Sequence, residues 1–215
     1  MNAGLMLDSI DIARAGKTLL TISAHVAAGE ALTVMGPSGT GKSTLLATII
    51  GTVAPAFTVS GRVLLDGRDL TRLPPQERRI GILYQDELLF PHLTVGGNLA
   101  FGLHPMIENR AARRQAIEEA LTSVGLPGFA NRNPATLSGG QRARVALMRM
   151  LLAAPRALLL DEPFSRLDAP LREQMRSLVF GLARQRQIPV LMVTHDIADA
   201  LAAGGDIVNL SMPDD

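Results

Sequence analysis

The chain has 215 residues, 47% of them hydrophobic and 19% charged, which is enough apolar side chain for a sizeable core and excludes disordered, collagen-like and low-complexity architectures. The absence of cysteine excludes a disulfide framework, a thiol nucleophile and cysteine-ligated zinc. A formal net charge of +1, with six phenylalanines, one tyrosine and no tryptophan, argues against a nucleic-acid partner held by a basic face or by stacking platforms.

In chain order, residues 5–12 and 19–26 are apolar-rich and flank Arg14, Gly16 and Lys17, which predicts a hairpin. A short apolar run, Ala31 to Met35, ends at Gly36. Residues 43–61 carry no charge and are long enough to cross a bilayer, but Gly51, Pro55 and several Ser and Thr interrupt them. The N-terminus has no basic region and carries Asp8, so no signal peptide is expected and the chain is expected to stay in the cytoplasm. Residues 62–65 read as a strand stopped by Asp66-Gly67, and residues 80–84 as a strand after Pro74-Pro75.

The pattern then turns helical. Residues 109–124 form one predicted helix, stopped by Gly125 and Pro127, with Arg110, Arg113 and Arg114 on a solvated face. Residues 141–154 form another, closed by Pro155. The last third alternates: strand 157–160, helix 169–186, strand 190–193, helix 196–203, strand 206–210. Alternation at that spacing means parallel βαβ units, hence an α/β fold with a mainly parallel core sheet. No repeat or linker divides the chain, so residues 85–154 are expected to be a helical insertion in a single unit formed by 1–84 and 155–215.

Gly36, Pro37, Ser38, Gly39, Thr40, Gly41, Lys42 and Ser43 fit G-x-x-x-x-G-K-[ST] between a predicted strand and a helix-compatible segment, with Thr44 next. Glycines let the backbone turn its N–H groups around phosphate oxygens, and the helix directs its positive end at the same anion. Lys42 is expected to reach the β- and γ-phosphates and Ser43 to ligate Mg²⁺. The continuous apolar run 157–160 ends in Asp161-Glu162, at the carboxyl edge where ligands of such sheets sit. Asp161 is therefore placed for the metal and Glu162 for orienting or deprotonating a water. His195 follows the second buried run, 190–193, on the same edge, where an imidazole can donate to the γ-phosphate. His25 and His104 lack that placement.

Ser138, Gly139, Gly140 and Gln141 open the helix that runs to about residue 154, with Ser138 able to cap it and two glycines baring backbone N–H groups. Alone, such a sequence is an ordinary helix start. Together with the other motifs it resembles the nucleotide-binding subunit of an ATP-binding-cassette (ABC) transporter over essentially the whole chain. The resemblance makes Gly36 to Ser43 the Walker A loop, Gln85 the Q-loop glutamine and Leu137 to Gln141 the signature motif. Leu158 to Glu162 becomes Walker B, Ser165 to Asp168 the D-loop and His195 the switch histidine.

That family implies ATP and Mg²⁺ as ligands, with Gln85 also at the metal. It implies a head-to-tail dimer in which Ser138 and Gly140 of one copy close over the ATP held by the other, with Gly139, Gln141 and Asp168 nearby. Leu88 to Val95 resembles the corresponding stretch of importer ATPases, which implies integral membrane permeases docking near Leu88, Phe90, Pro91 and His92. It also implies a periplasmic binding protein acting indirectly, and a place on the inner face of the membrane. The phrase Leu160 to Asp168 is similar to that of small ATPases grouped with thiamine, iron and sulfate importers, although the cargo itself is read by other chains. Two departures stand out. The turn that carries an adenine-stacking aromatic in many members is here Ala13-Arg14-Ala15-Gly16, so Arg14 or an apolar contact is expected to replace it and to weaken base selectivity. Only twenty residues follow His195, so the C-terminal regulatory domain of sugar-importer ATPases is expected to be absent. A DNA-repair or ribosome-associated cassette and a small-molecule kinase are the rivals, distinguished by co-purification with a membrane protein.

Overall fold

A computed structural model describes residues 3–104, 106–107 and 109–210, so the outermost domain limits expected above lie outside the described residues. The first sheet elements are β1 (Gly4–Arg14), β2 (Lys17–Ala27) and β3 (Ala31–Met35), followed by α1 (Lys42–Ile50), β4 (Phe57–Leu65) and β5 (Arg68–Asp69). Then come α2 (Pro75–Arg78), β6 (Ile80–Leu83), α3 (Val95–Gly102), α4 (Arg110–Ser123), a 3₁₀ turn at Pro134–Thr136 and α5 (Gly139–Leu152). The chain closes with β7 (Ala157–Asp161), α6 (Ala169–Gln185), β8 (Val190–Thr194), α7 (Ile197–Ala203) and β9 (Asp206–Asn209).

The hairpin forms because β1 alternates, but its phase changes partway. Leu5 and Leu7 are buried, then Ile10 and Ile12, and the jump from odd to even positions falls at a register shift between Leu7 and Ile10. Ser9 there has φ 51°, the signature of a bulge that re-aims the strand so that both halves face one core. On its other side β1 pairs antiparallel with β4 through the same shift, giving a sheet ordered β2-β1-β4-β5. The expected strand at residues 62–65 is thus the second half of a longer one, whose first half, from Phe57, runs through the uncharged stretch. The rest of that stretch is α1 and a turn, and among the described residues no helix is long and apolar enough to cross a membrane.

The second sheet is ordered β6-β7-β8-β3-β9 with every neighbouring pair parallel, the α/β core that the alternating last third predicts. β7 and β8 are buried along their apolar length, as strands covered on both faces must be. Their alternating side chains serve two cores. Leu158, Leu160, Val190 and Met192 pack with the helices α3 to α6, whereas Ala157, Leu159, Leu191 and Val193 pack with α1 and the antiparallel sheet.

Helix α3, absent from the sequence reading, is tied to the segment before it by a buried polar side chain. Asn98 is fully buried; its Oδ1 accepts from Phe90 N at 2.8 Å, and its Nδ2 donates to Phe90 O and Thr94 O, both at 3.1 Å. It replaces, for residues 90–94, the backbone partners that a regular element supplies. Asn98→Ala leaves the Phe90 amide unpaired, while the Phe90 carbonyl keeps the Leu93 N–H at 3.2 Å, a loss of about 1–3 kcal/mol. The expected result is a lower melting temperature together with faster amide exchange at Phe90, and unchanged protection of that amide would contradict it.

Candidate functional site

The phosphate loop is built at the carboxyl end of β3. Gly39 and Gly41 take φ of 90° and 88°, left-handed values that glycine adopts without strain, and this folds the chain back into α1. Gly41 is the N-cap of α1 and gives it no side-chain cap, nor is there an acidic residue in the first turn. The N–H groups of Lys42, Ser43 and Thr44 therefore lack intrahelical partners and present the positive end of the helix. The loop is tied to itself from within. Lys42 Nζ donates to Gly36 O at 2.6 Å and Pro37 O at 2.7 Å, and the Thr40 hydroxyl donates to Pro37 O at 2.9 Å. Thr40 is buried and shapes the loop.

These residues open onto a cavity of about 350 Å³, whose walls include Ser38, Gly39, Lys42, Ser43 and Thr44, a size that suits a small ligand. Asp161 and Glu162 line the same cavity. Burial, and then the adjacent Glu162 carboxylate, push the Asp161 carboxyl above its usual range, while the Ser43 hydroxyl and the Lys42 ammonium act in the opposite sense. A carboxylate kept high by burial gains most from a cation placed beside it. The Ser43 hydroxyl and the Asp161 carboxylate are hard oxygen donors of the kind Mg²⁺ takes. Among the described residues no group of three or more His, Cys, Asp and Glu side chains could cage a metal.

Glu162 is set by a backbone strap. Its φ is 45°, a left-handed value costing a non-glycine residue on the order of 1 kcal/mol. Its N–H donates to Val193 O at 3.0 Å, and its carbonyl accepts from the Ser165 hydroxyl at 2.9 Å. The carboxylate Oε1 lies 3.1 Å from His195 Nδ1. A carboxylate can only accept, so Nδ1 carries the proton in that pair. The two residues expected at the sheet's carboxyl edge are brought together, with His195 largely exposed and its ring turned to Glu162 rather than lining the cavity.

The remaining expected residues stand elsewhere. Gln85 is exposed just beyond β6 and does not line the cavity. Ser138 caps α5 in a reciprocal box: its Oγ accepts from Gln141 N at 3.3 Å, and its own N–H donates to Gln141 Oε1 at 3.0 Å. The helix thus starts two residues earlier than expected, and the Gln141 side chain is engaged in capping. Gly140 is buried where an added Cβ would meet Leu171 Cδ2 at 2.2 Å, so α5 and α6 meet closely behind the motif. Asp168 caps α6 by accepting from Leu171 N at 3.0 Å. None of Ser138, Gly139, Gly140, Gln141 and Asp168 lines the cavity of its own chain.

Beyond Gln85 the chain is held from two sides. Asp86 pairs with Arg166, in the loop after β7. From α5, Arg149 donates to Leu88 O at 2.8 Å and Glu87 O at 3.2 Å, and Arg142 lies 3.7 Å from Glu87. Leu88, Phe90, Tyr84, Phe101 and Met150 line a mostly apolar groove of about 510 Å³. Leu88 and Phe101 are 58% and 71% exposed, and Pro91 and His92 lie exposed beside them. Phe101 escaped the sequence reading because α3 did. Two further cavity residues, Leu19 and Phe57, also escaped it. Alternation of Phe57 and Val59 with Thr58 and Ser60 was the available signal.

A family model described as ABC transporter matches residues 19–165. The chain is 50% identical over 186 residues to the uncharacterized ABC transporter ATP-binding protein YnjD of Escherichia coli (strain K12), covering 86% of this chain and 85% of that protein. It is 49% identical over 196 residues to the thiamine import ATP-binding protein ThiQ of Cereibacter sphaeroides, covering 91% and 83%. Against the putative 2-aminoethylphosphonate import ATP-binding protein PhnT of Salmonella typhimurium it is 41% identical over 207 residues, covering 95% of this chain and 55% of that protein.

Proposed function

The chain belongs to the ABC transporter family as an ATP-binding, ATP-hydrolysing subunit, and on that premise we propose that two copies enclose two ATP molecules and drive an importer's membrane subunits. The observation that carries this reading is a single cavity lined by an uncapped helix start, by Lys42 and by the Asp161-Glu162 pair. The phosphates of ATP are received by the first-turn N–H groups of α1 and by the Lys42 ammonium, which exchanges its two loop carbonyls for phosphate oxygens. Ser43 and Asp161 would hold Mg²⁺, with Gln85 joining them on closure; the ion supplies positive charge against the β- and γ-phosphate oxygens. Glu162 orients the attacking water and takes its proton, and His195 keeps the carboxylate aimed through the Nδ1–H bond. Ser138 and Gly140, turned away from their own chain's cavity, serve the ATP of the second copy, with Gly139, Gln141 and Asp168 at the same seam.

Residues 85–154 are the body that moves against the rest, and Gln85 with the tethered segment after it passes the motion to the groove around Leu88, Phe90, Pro91 and His92. An integral membrane permease is its occupant, a periplasmic substrate-binding protein delivers the solute, and the subunit works at the inner face of the membrane. The relatives' names support import of a small solute, with thiamine-type cargo the first to try. Co-expression with candidate permeases, followed by purification in detergent, tests the reading. The expected result is a complex that hydrolyses Mg·ATP, whereas hydrolysis by a chain that never joins a membrane protein would contradict the transport role.

A further inference from the structure

Arg14, Leu19 and Phe57 also line the nucleotide cavity. Arg14 ends β1 and Phe57 begins β4, and the two are direct partners in the antiparallel ladder. The Arg14 guanidinium carbon lies 5.7 Å from the Phe57 ring centroid, within range of a cation–π contact that steadies the ring. Phe57 is half-buried although it starts a strand. Leu19, on β2, reaches the phosphate loop itself: a Cβ added to Gly41 would lie 3.1 Å from Leu19 Cδ2. The cavity is thus lined by an apolar side chain beside the loop that receives phosphates and by an aromatic ring held by a cation. The turn at residues 13–16, meanwhile, contains no aromatic residue.

We propose that Phe57, braced by Arg14 and continued by Leu19, is the platform on which the purine ring of the nucleotide stacks. This rests on the ATP-binding reading above and adds the residue that reads the base. Phosphates bound at Lys42 and Ser43 fix one end of the ligand, and the lining formed by Leu19, Phe57 and Arg14 is the apolar part of the same cavity left for the other end. The platform recognises a ring by its face. Leu19 and Phe57 offer the base edge no hydrogen bond, and Arg14 offers only donors, which the N7 acceptor common to adenine and guanine can meet. The platform therefore favours purines over pyrimidines and separates ATP from GTP weakly.

Equilibrium titration with Mg·ADP and, separately, with inorganic pyrophosphate tests this without relying on turnover. Stacking on an aromatic side chain is worth enough that Phe57→Ala is expected to weaken Mg·ADP by about tenfold or more, with pyrophosphate affinity unchanged. Phe57→Trp is expected to restore Mg·ADP binding. In the wild type, Mg·GDP is expected within about tenfold of Mg·ADP. Pyrophosphate also reports whether the variant keeps its phosphate loop. Unchanged Mg·ADP affinity in Phe57→Ala, or an equal loss for both ligands, would overturn the platform alone. A wild-type chain that binds neither ligand would overturn the ATP-binding reading beneath it.

Discussion

Glu162→Gln is expected to bind Mg·ATP, to hydrolyse it about a thousandfold more slowly or worse, and to accumulate as a dimer. The amide keeps the size of the side chain and can still accept from His195 Nδ1, so the 3.1 Å contact survives while the ability to take a proton from water is lost. Binding survives for a second reason. Burial and the Glu162 carboxylate together hold the Asp161 carboxyl up, and removing that neighbouring charge makes Asp161 easier to ionise, which helps it meet a cation. The variant therefore separates affinity from chemistry. With hydrolysis blocked, the closed state has no exit, and two copies remain around their nucleotides. Phosphate release and light scattering with and without ATP measure the two halves of this prediction. A monomer unchanged by ATP would contradict the dimeric sandwich, and turnover near the wild-type rate would remove Glu162 from its role.

Lys42→Ala is expected to lose ATP binding and turnover while keeping the fold. Lys42 is 8% exposed, and its ammonium is the cation that the phosphate loop itself supplies to the cavity. A hydrogen bond to a charged group contributes about 1.5–3 kcal/mol, so the loss in affinity should exceed tenfold. The loss in turnover should be larger, about a thousandfold, because charge on the transferring phosphoryl group is stabilised most in the transition state. Truncation also releases the Gly36 carbonyl, whereas Pro37 O keeps the Thr40 hydroxyl, and the loop lies at an open cavity where water can reach it. The melting temperature without nucleotide should therefore move by only a few degrees. Calorimetric titration beside a thermal melt checks both, and an affinity within about threefold of the wild type would contradict the assignment.

What could be read from the chain alone depended on whether the determining contacts were local. The run Ala31 to Met35 was legible to the residue because a buried parallel strand is a continuous apolar run bounded by a glycine. The loop from Gly36 to Ser43 and the Asp161-Glu162 pair were legible because their chemistry lies in contiguous residues. α3 was not: three glycines and an asparagine oppose helix on propensity, and what overrides them is burial of Val95, Asn98 and Leu99. Gly102, at the end of that helix, lies where an added Cβ would be 2.1 Å from Arg149 O, so its packing against α5 is also a long-range fact. The site divides in the same way. Phe57 reaches the cavity only through its pairing with Arg14, 43 positions earlier in the chain, and nothing local to either residue announces that register. The proton-bearing nitrogen of His195 faces Glu162 because β7 and β8 are neighbours, which the order of strands in the sequence does not specify.

The strand β7 has a consequence for how this protein can vary over time. Leu158 and Leu160 face one core, Ala157 and Leu159 face the other, and the same five-residue strand ends at Asp161. Slack introduced on either side is carried along one backbone to the carboxylates, so the strand offers no neutral direction in which to drift. The groove bearing Leu88 and Phe101 is exposed, and none of Lys42, Ser43, Asp161, Glu162 and His195 lines it. With the membrane partner docked there as proposed, descendants of this chain can change allegiance to a different partner by altering the groove, while the machinery that spends the nucleotide passes through unchanged.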